Sequence, residues 1–430
     1  MVHSPRMARL GVERGLVVVA PIEPRAVGNG LAMRIGHIVE AVSAHMEVWV
    51  AVVPVAGEPP GPVLGGTHRT VQVRPMAMDR SALVRLLADP AWRARLGAAG
   101  ALPRAARAAS PALAEELVTA LGCPVGWPVH VARSALAPLG VAVAERLDAP
   151  WLTLDLDDDE EPLLRALGHH MEADAHHRLL DAFGPLYSSV FLASPAESRA
   201  VRARHGLAAS VLPNAVRVPP QPSRDPRTGR LLFVGNLTFR PNIDAAVILV
   251  EQVLPAVQAR TDSPLSVALV GPHEDDPALL ALARHPRVEL LGYVAELALV
   301  YEQAMVVVAP LQVGGGTRIK LLEAFAHLVP VVATPAAAAG LAVESGVHLL
   351  VGDTCDELAE HVLALLEDPR ARQRIAVAAR AYVARCHAVP IVAHTVRELL
   401  RAAARRGRPH DPQLGARAPR ATRNDAPTEG

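Results

Sequence analysis

Cysteine is scarce in this 430-residue chain: Cys123, Cys355 and Cys386 are the only three. Their number is odd and no two stand at C-x-x-C spacing, which argues against a disulfide framework or a zinc site and fits a reducing compartment. Neither sign of charge is in excess, with Lys plus Arg at 43 and Asp plus Glu at 43. That balance argues against a strongly basic nucleic-acid binder. Long apolar runs are missing too. None reaches the roughly 18–20 residues of a membrane span. The run 15–21 is only strand length, and although Arg6, Arg9 and Arg14 precede it, no small-residue cleavage site follows in register. A signal peptide is therefore not expected. The expectation is a cytoplasmic protein, with peripheral attachment to the inner membrane face through a basic patch left open.

What the chain does have is apolar residues, 51% of the total, enough for a large core. Its length is about three times the ~150-residue prior for one domain, so two or three domains are expected. Short apolar runs at 15–20, 48–55, 70–73, 129–132, 151–156, 190–193 and 210–212 read as strands. Helical segments are expected at 31–45, 81–97, 111–121, 135–147, 160–184 and 195–205. Buried strands alternating with helices indicate an α/β domain with a parallel sheet. Residues 217–230 carry proline and charge without apolar periodicity and read as a linker. A second alternating series follows, with strands at 231–234, 266–270, 288–291, 305–309, 331–333 and 348–351. The expected organisation is a first Rossmann-like domain over 1–216, the linker 217–230, a second over 231–386, a C-terminal helix over 387–406 and a disordered tail over 407–430. There is no sequence repeat, yet the two halves share one architecture.

The most informative stretch is 310–334. An apolar strand runs into Gly314, Gly315 and Gly316, and a helix is expected from about Thr317. Glycines at such a turn let a ligand approach bare backbone amides, and a helix N-terminus suits a phosphate. Arg318 and Lys320 fall on the first turn, where their charge opposes the helix dipole. An anionic ligand accounts for that placement. Glu323 shares a helix face with Ile319, Leu322 and Ala326, where a carboxylate needs donors. A sugar-ring diol would supply two. An ion pair with Lys320 or Arg318 would serve as well.

These features, with Leu231–Asn236, Phe239–Ala245, Val270-Gly271-Pro272, Leu291–Val294, the 314–323 loop and Val211–Val216, resemble the GT-B glycosyltransferases, and most closely the retaining group 1 (family 4) members. The resemblance implies two Rossmann-like doubly wound domains facing a central cleft. It also implies transfer of a sugar from a nucleotide-diphosphate sugar to an acceptor hydroxyl, in polysaccharide or glycoconjugate assembly. The partners it implies are that donor and a glycan, lipid-linked or small-molecule acceptor, with no cofactor and no metal. Two other readings share the fold: a sugar-nucleotide 2-epimerase, and a non-catalytic nucleotide-sugar-binding protein.

On this resemblance Gly314, Gly315, Gly316, Thr317, Arg318 and Lys320 hold the diphosphate and Glu323 the ribose, while Tyr293 and Val294 belong to the turn that reads the base. Asn236 and Arg240 stand near the family's usual basic pair. Gly28, Asn29 and Gly30 face the donor or acceptor across the cleft. Gly315 occupies the place of the family's first loop carboxylate, a departure that keeps the non-catalytic reading open. Asp155 and Asp157 end a strand within the acidic run 155–160. In an open α/β sheet that end faces the ligand crevice, and the two are the catalytic candidates, against a solvated acidic loop. Arg133 either faces the cleft or pairs with a surface carboxylate. His170, Asp174 and His177 recur at one helix face, which is read as a solvated face in preference to a metal site.

Overall fold

The computed structural model describes residues 15–53, 68–72, 111–220, 222, 224–314 and 318–409. The helix expected over 81–97 lies outside them.

Seven strands form the first sheet: β1 (Gly15–Ala20), β2 (Glu47–Val52), β3 (Arg69–Gln72), β4 (Val129–Ala132), β5 (Leu152–Asp157), β6 (Ser189–Leu192) and β7 (Ala209–Val211). Their order is β3-β2-β1-β4-β5-β6-β7 and every pairing is parallel. β1 shows why its run is apolar throughout. Val17 and Val19 pack into the core on one face, and Leu16, Val18 and Ala20 into that on the other. Side chains alternate along a strand, so a sheet covered on both faces needs apolar residues at every position.

The second sheet has β8 (Arg230–Val234), β9 (Ser266–Val270), β10 (Val288–Gly292), β11 (Val306–Ala309), β12 (Val331–Ala333) and β13 (Leu350–Val351), in the order β10-β9-β8-β11-β12-β13, again all parallel. The order reverses between β8 and β11. Crossovers there run to opposite faces, which opens a crevice at the carboxyl ends of these two strands. The corresponding reversal in the first sheet lies between β1 and β4.

One expectation needs correction. The helix expected over 160–184 is two helices, Glu160–Ala166 and His170–Phe183, because Gly168 takes φ 80° and cannot continue the turn. The segment read as a linker is tied to the second domain. Arg224 donates to the carbonyls of Tyr301 and Ala304, and the amides of Asp225 and Arg227 donate to the carbonyls of Glu302 and Gln303.

The chain crosses back after the second domain. Val389–Arg406 is a helix whose Val392, Val396, Leu400 and Ala403 pack into the core beneath the helix Gly30–Ser43. Those four lie at i, i+4, i+8 and i+11, one apolar stripe. The C-terminal helix thus completes the first domain. Among the described residues no helix is long and apolar enough to cross a membrane.

Candidate functional site

The crevice of the second domain is lined by strand ends that approach closely. Gly235 follows β8, Gly271 follows β9 and Gly292 ends β10. The Gly235 amide donates to Val270 O and the Gly271 amide to Gly292 O. Gly271 has φ 147°, and a Cβ there would stand 1.7 Å from Gly235 O. No side chain fits that position.

The helix Ile319–Ala326 begins two residues later than expected and carries the charged groups. Lys320 is half-buried. Its Nζ donates to Asn242 Oδ1 at 2.7 Å and lies 4.8 Å from the centre of the Phe233 ring. Asn242 in turn donates to Asn236 O at 2.8 Å. Lys320 therefore spans the switch point, from the helix after β11 to the first turn of the helix Arg240–Ile248 after β8. Burial first, and then the charge of Arg318, lower its pKa to about 7.

Glu323 is also half-buried. Its Oε2 accepts from the Tyr301 hydroxyl at 3.2 Å, and burial raises its pKa to about 7. The Tyr301 phenol is pushed up by its own burial and by Glu323, so it stays a donor. The ion pair with Lys320 or Arg318 is not what forms: Lys320 turns to Asn242 and Glu323 to Tyr301. Arg318 is 6% exposed. Its guanidinium donates to the carbonyls of Gly314, Ala336 and Ala337 at 3.0, 2.7 and 3.1 Å, so it fastens the loop to the segment after β12. Burial lowers its pKa, while Glu197 and Asp158 of the first domain act against that. Its charge is felt across the cleft.

Gly315, Gly316 and Thr317 lie outside the described residues; Gly314 precedes them, exposed. Asn236 is exposed, and its Oδ1 accepts from the amide and hydroxyl of Thr238, which shapes the turn after β8. Arg240 does not join this cluster: it spans one turn on the helix surface to Asp244 at 2.7 Å. Tyr293 is 36% exposed at the end of β10, and Val294 packs against the core.

In the first domain, Asn29 caps the helix Gly30–Ser43 by accepting from the amides of Leu31 and Ala32, and Gly28 takes φ 101°. A Cβ on Gly30 would lie 3.1 Å from Ile319 Cδ1. Glycine at 30 thus brings this loop against the first turn of the Lys320 helix, and the two halves of the cleft meet there.

Asp155 and Asp157 part company. Asp155 is 1% exposed, and its two oxygens accept from Arg34 Nε and Nη2, each at 2.7 Å. A bidentate guanidinium–carboxylate pair is a strong one, and Asp155 Oδ1 also accepts from the Asp157 amide at 3.2 Å, so Asp155 holds its neighbours in place. Asp157 has φ 66°, an uncommon conformation for a side-chain-bearing residue. Its Oδ1 accepts from Asn214 Nδ2 at 3.1 Å. Burial raises its pKa to about 6, opposed by Arg34 and Arg133 and reinforced by Asp158 and Asp155. Arg133, after β4, also has positive φ, 73°. It pairs with Asp158 and Glu160, so it braces the acidic loop. Backbone strain of this kind collects at functional sites.

The spacing of His170, Asp174 and His177 does not gather them. His177 meets Glu161 and His205, with ligand-type atoms within 4.8 Å of one another. Glu161 Oε1 already accepts from Arg165 Nε and Nη2 at 3.1 and 2.9 Å, and Arg204 Nε lies 3.6 Å from Oε2. Two guanidinium groups on one carboxylate make a poor cation site.

Sequence reasoning missed Arg34, Asn214, Asn242 and Tyr301. Arg34 had a signal, a lone cation inside the apolar run 31–39, which is the same reasoning that singled out Glu323. Tyr301 had none.

Two doubly wound parallel domains facing each other, with strand ends and charged groups gathered at the cleft, define a GT-B protein. Residues 228–368, most of the second domain, match the family model described as glycosyl transferases group 1. Sucrose-phosphate synthase from Thermosynechococcus elongatus is similar over 90% of this chain and 98% of its own, at 14% identity and TM-score 0.68. Anabaena HepE in complex with UDP and glucose is similar over 89% and 98%, at 15% identity and TM-score 0.61. TarM is similar over 68% and 58%, at 13% identity and TM-score 0.58. At these identities the likeness shows the fold. No curated protein matches at the level of sequence.

Proposed function

We propose that this protein is a glycosyltransferase that moves a sugar from a nucleotide-diphosphate donor to an acceptor hydroxyl. The observation that carries the reading is the pair Lys320 and Glu323 on successive turns of one helix, at the β8–β11 switch point of a group 1 glycosyltransferase domain. The helix N-terminus and Lys320 meet the diphosphate and offset the charge that grows on it as the leaving group departs. The Lys320 ammonium, the free backbone amides and the dipole of this helix take the role a divalent ion plays elsewhere. Glu323 accepts from the two ribose hydroxyls, with Tyr301 holding its second contact. Tyr293 and Val294 border the base, and Asn236 lies beside the diphosphate.

Asp157 faces the transferred sugar from the first domain as a hydrogen-bond acceptor for a sugar or acceptor hydroxyl. The transferred unit is a hexose and its configuration is retained. The acceptor is a growing glycan or glycoconjugate, met on the first domain. HepE was solved with UDP and glucose, which favours a uridine donor as the first to try.

The test is a thermal-shift panel of nucleotide-diphosphate sugars, followed by turnover with hydroxyl acceptors. A ligand bound only by the folded state raises the melting temperature by mass action. Expected is a shift with one donor and release of nucleotide diphosphate only when an acceptor is present. Release of an epimerised sugar without acceptor would replace transfer by isomerisation. A flat panel would refute donor binding.

A further inference from the structure

We propose that Asn214 is a positioning residue that sets the placement and charge of Asp157 and ties it to the crossing between the two domains. The proposal rests on the reading of Asp157 as the cleft-facing carboxylate. Asn214 lies where the chain leaves β7 for the second domain and is 2% exposed. Its side chain is used at both ends. Oδ1 accepts from Arg34 Nη1 at 2.8 Å, and Nδ2 donates to Asp157 Oδ1 at 3.1 Å. The guanidinium can only donate, so the amide orientation follows from chemistry.

The same residue touches the return crossing. Its carbonyl accepts from His387 Nδ1 at 2.8 Å, which leaves His387 Nε2 to accept from the Tyr382 hydroxyl at 2.9 Å. That hydroxyl accepts from the Ala342 amide of the second domain at 3.1 Å. Two residues on, the Val216 amide donates to His387 O and the Val389 amide to Val216 O. Both crossings are joined at this point. A continuous chain of hydrogen bonds runs from Ala342 through Tyr382, His387 and Asn214 to Asp157.

The other groups facing Asp157 are charged. Arg34 Nε lies at 3.6 Å and Arg133 Nη1 at 3.8 Å, and Asp155 and Asp158 oppose its ionisation. Arg34 is already held by Asp155. Asn214 is the neutral donor that favours the carboxylate form without adding charge.

The test compares wild type, Asn214→Ala and the near-isosteric Asn214→Asp by kcat and KM between pH 5 and 8, together with melting temperature and donor affinity. Asn214→Ala is expected to lower kcat roughly 10–100-fold, the range for a hydrogen bond to a charged group. Its acid limb should move to higher pH, and donor affinity, set on the other domain, should stay within about twofold. Asn214→Asp keeps the acceptor for Arg34 and sets a third carboxylate beside Asp157, so its acid limb should move further. If both variants keep the wild-type pH profile and their losses only follow melting temperature, the inference is overturned. Should Asn214→Ala not fold, Asn214→Asp alone decides by its profile. A wild type without turnover would overturn the proposed function and this inference together; turnover with an acid limb that neither variant moves overturns this inference alone.

Discussion

Donor affinity should pass through a maximum near neutrality, with each side set by one residue of the helix Ile319–Ala326. Lys320 needs its ammonium to meet a diphosphate, and burial has brought its pKa to about 7. Above that value the free protein must take up a proton to bind, so affinity falls about tenfold per pH unit, or ~1.4 kcal/mol. Glu323 needs its carboxylate to accept ribose hydroxyls, and its pKa is raised to about 7. Below that value the protein must lose a proton to bind, so affinity falls on the acid side. A diphosphate esterified at both ends has no proton to exchange in this range, so the ligand adds no limb. Lys320→Met should weaken binding by about 1.5–3 kcal/mol at pH 7, the range for a hydrogen bond involving a charged group, and abolish the alkaline limb while leaving the acid one. Glu323→Gln should do the reverse. Arg240→Ala, on the outer surface, should change neither. Isothermal titration of a nucleotide sugar from pH 5.5 to 9, in buffers of different ionisation enthalpy, reads both affinity and proton exchange. A dissociation constant flat across that range, with a buffer-independent enthalpy, would refute the roles of both residues.

Two further outcomes test the frame around the site. Arg34→Met leaves Asp155 buried without its partner, and breaking such a pair costs about 3–5 kcal/mol; a urea unfolding curve showing a loss below ~1 kcal/mol would mean that Asp155 has another partner. Gly271→Ala places a Cβ 1.7 Å from Gly235 O at φ 147°, so it should destabilise the protein by about 2–3 kcal/mol through strain and overpacking. A variant melting with the wild type would contradict the close approach of the two strand ends.

Much of the fold was legible because a strand covered on both faces must be apolar at every position. β1, β4, β9 and β12 coincide with the runs read from the sequence. The break at Gly168 was not read, since a helical pattern on either side of one glycine looks continuous. Gly314, Lys320 and Glu323 stood out by residue type, as glycine at a turn and as charge on a face that should be apolar, and their role at a donor remains part of the proposal. The pairing of Arg240 with Asp244 and of Asp155 with Arg34 was not legible, because a charged residue near a strand end looks the same whether it faces a ligand, solvent or another side chain.

Periodicity and composition determine the two α/β domains and their parallel sheets, because these follow from local rules of burial and backbone geometry. Which side chains the charged residues pair with was decided by tertiary structure alone. Arg34 lies 121 residues from Asp155 and 180 from Asn214, and Lys320 lies 78 from Asn242. Partners that far apart along the chain are chosen by how strands are ordered in the sheet and how the chain crosses between domains, and no local pattern encodes either.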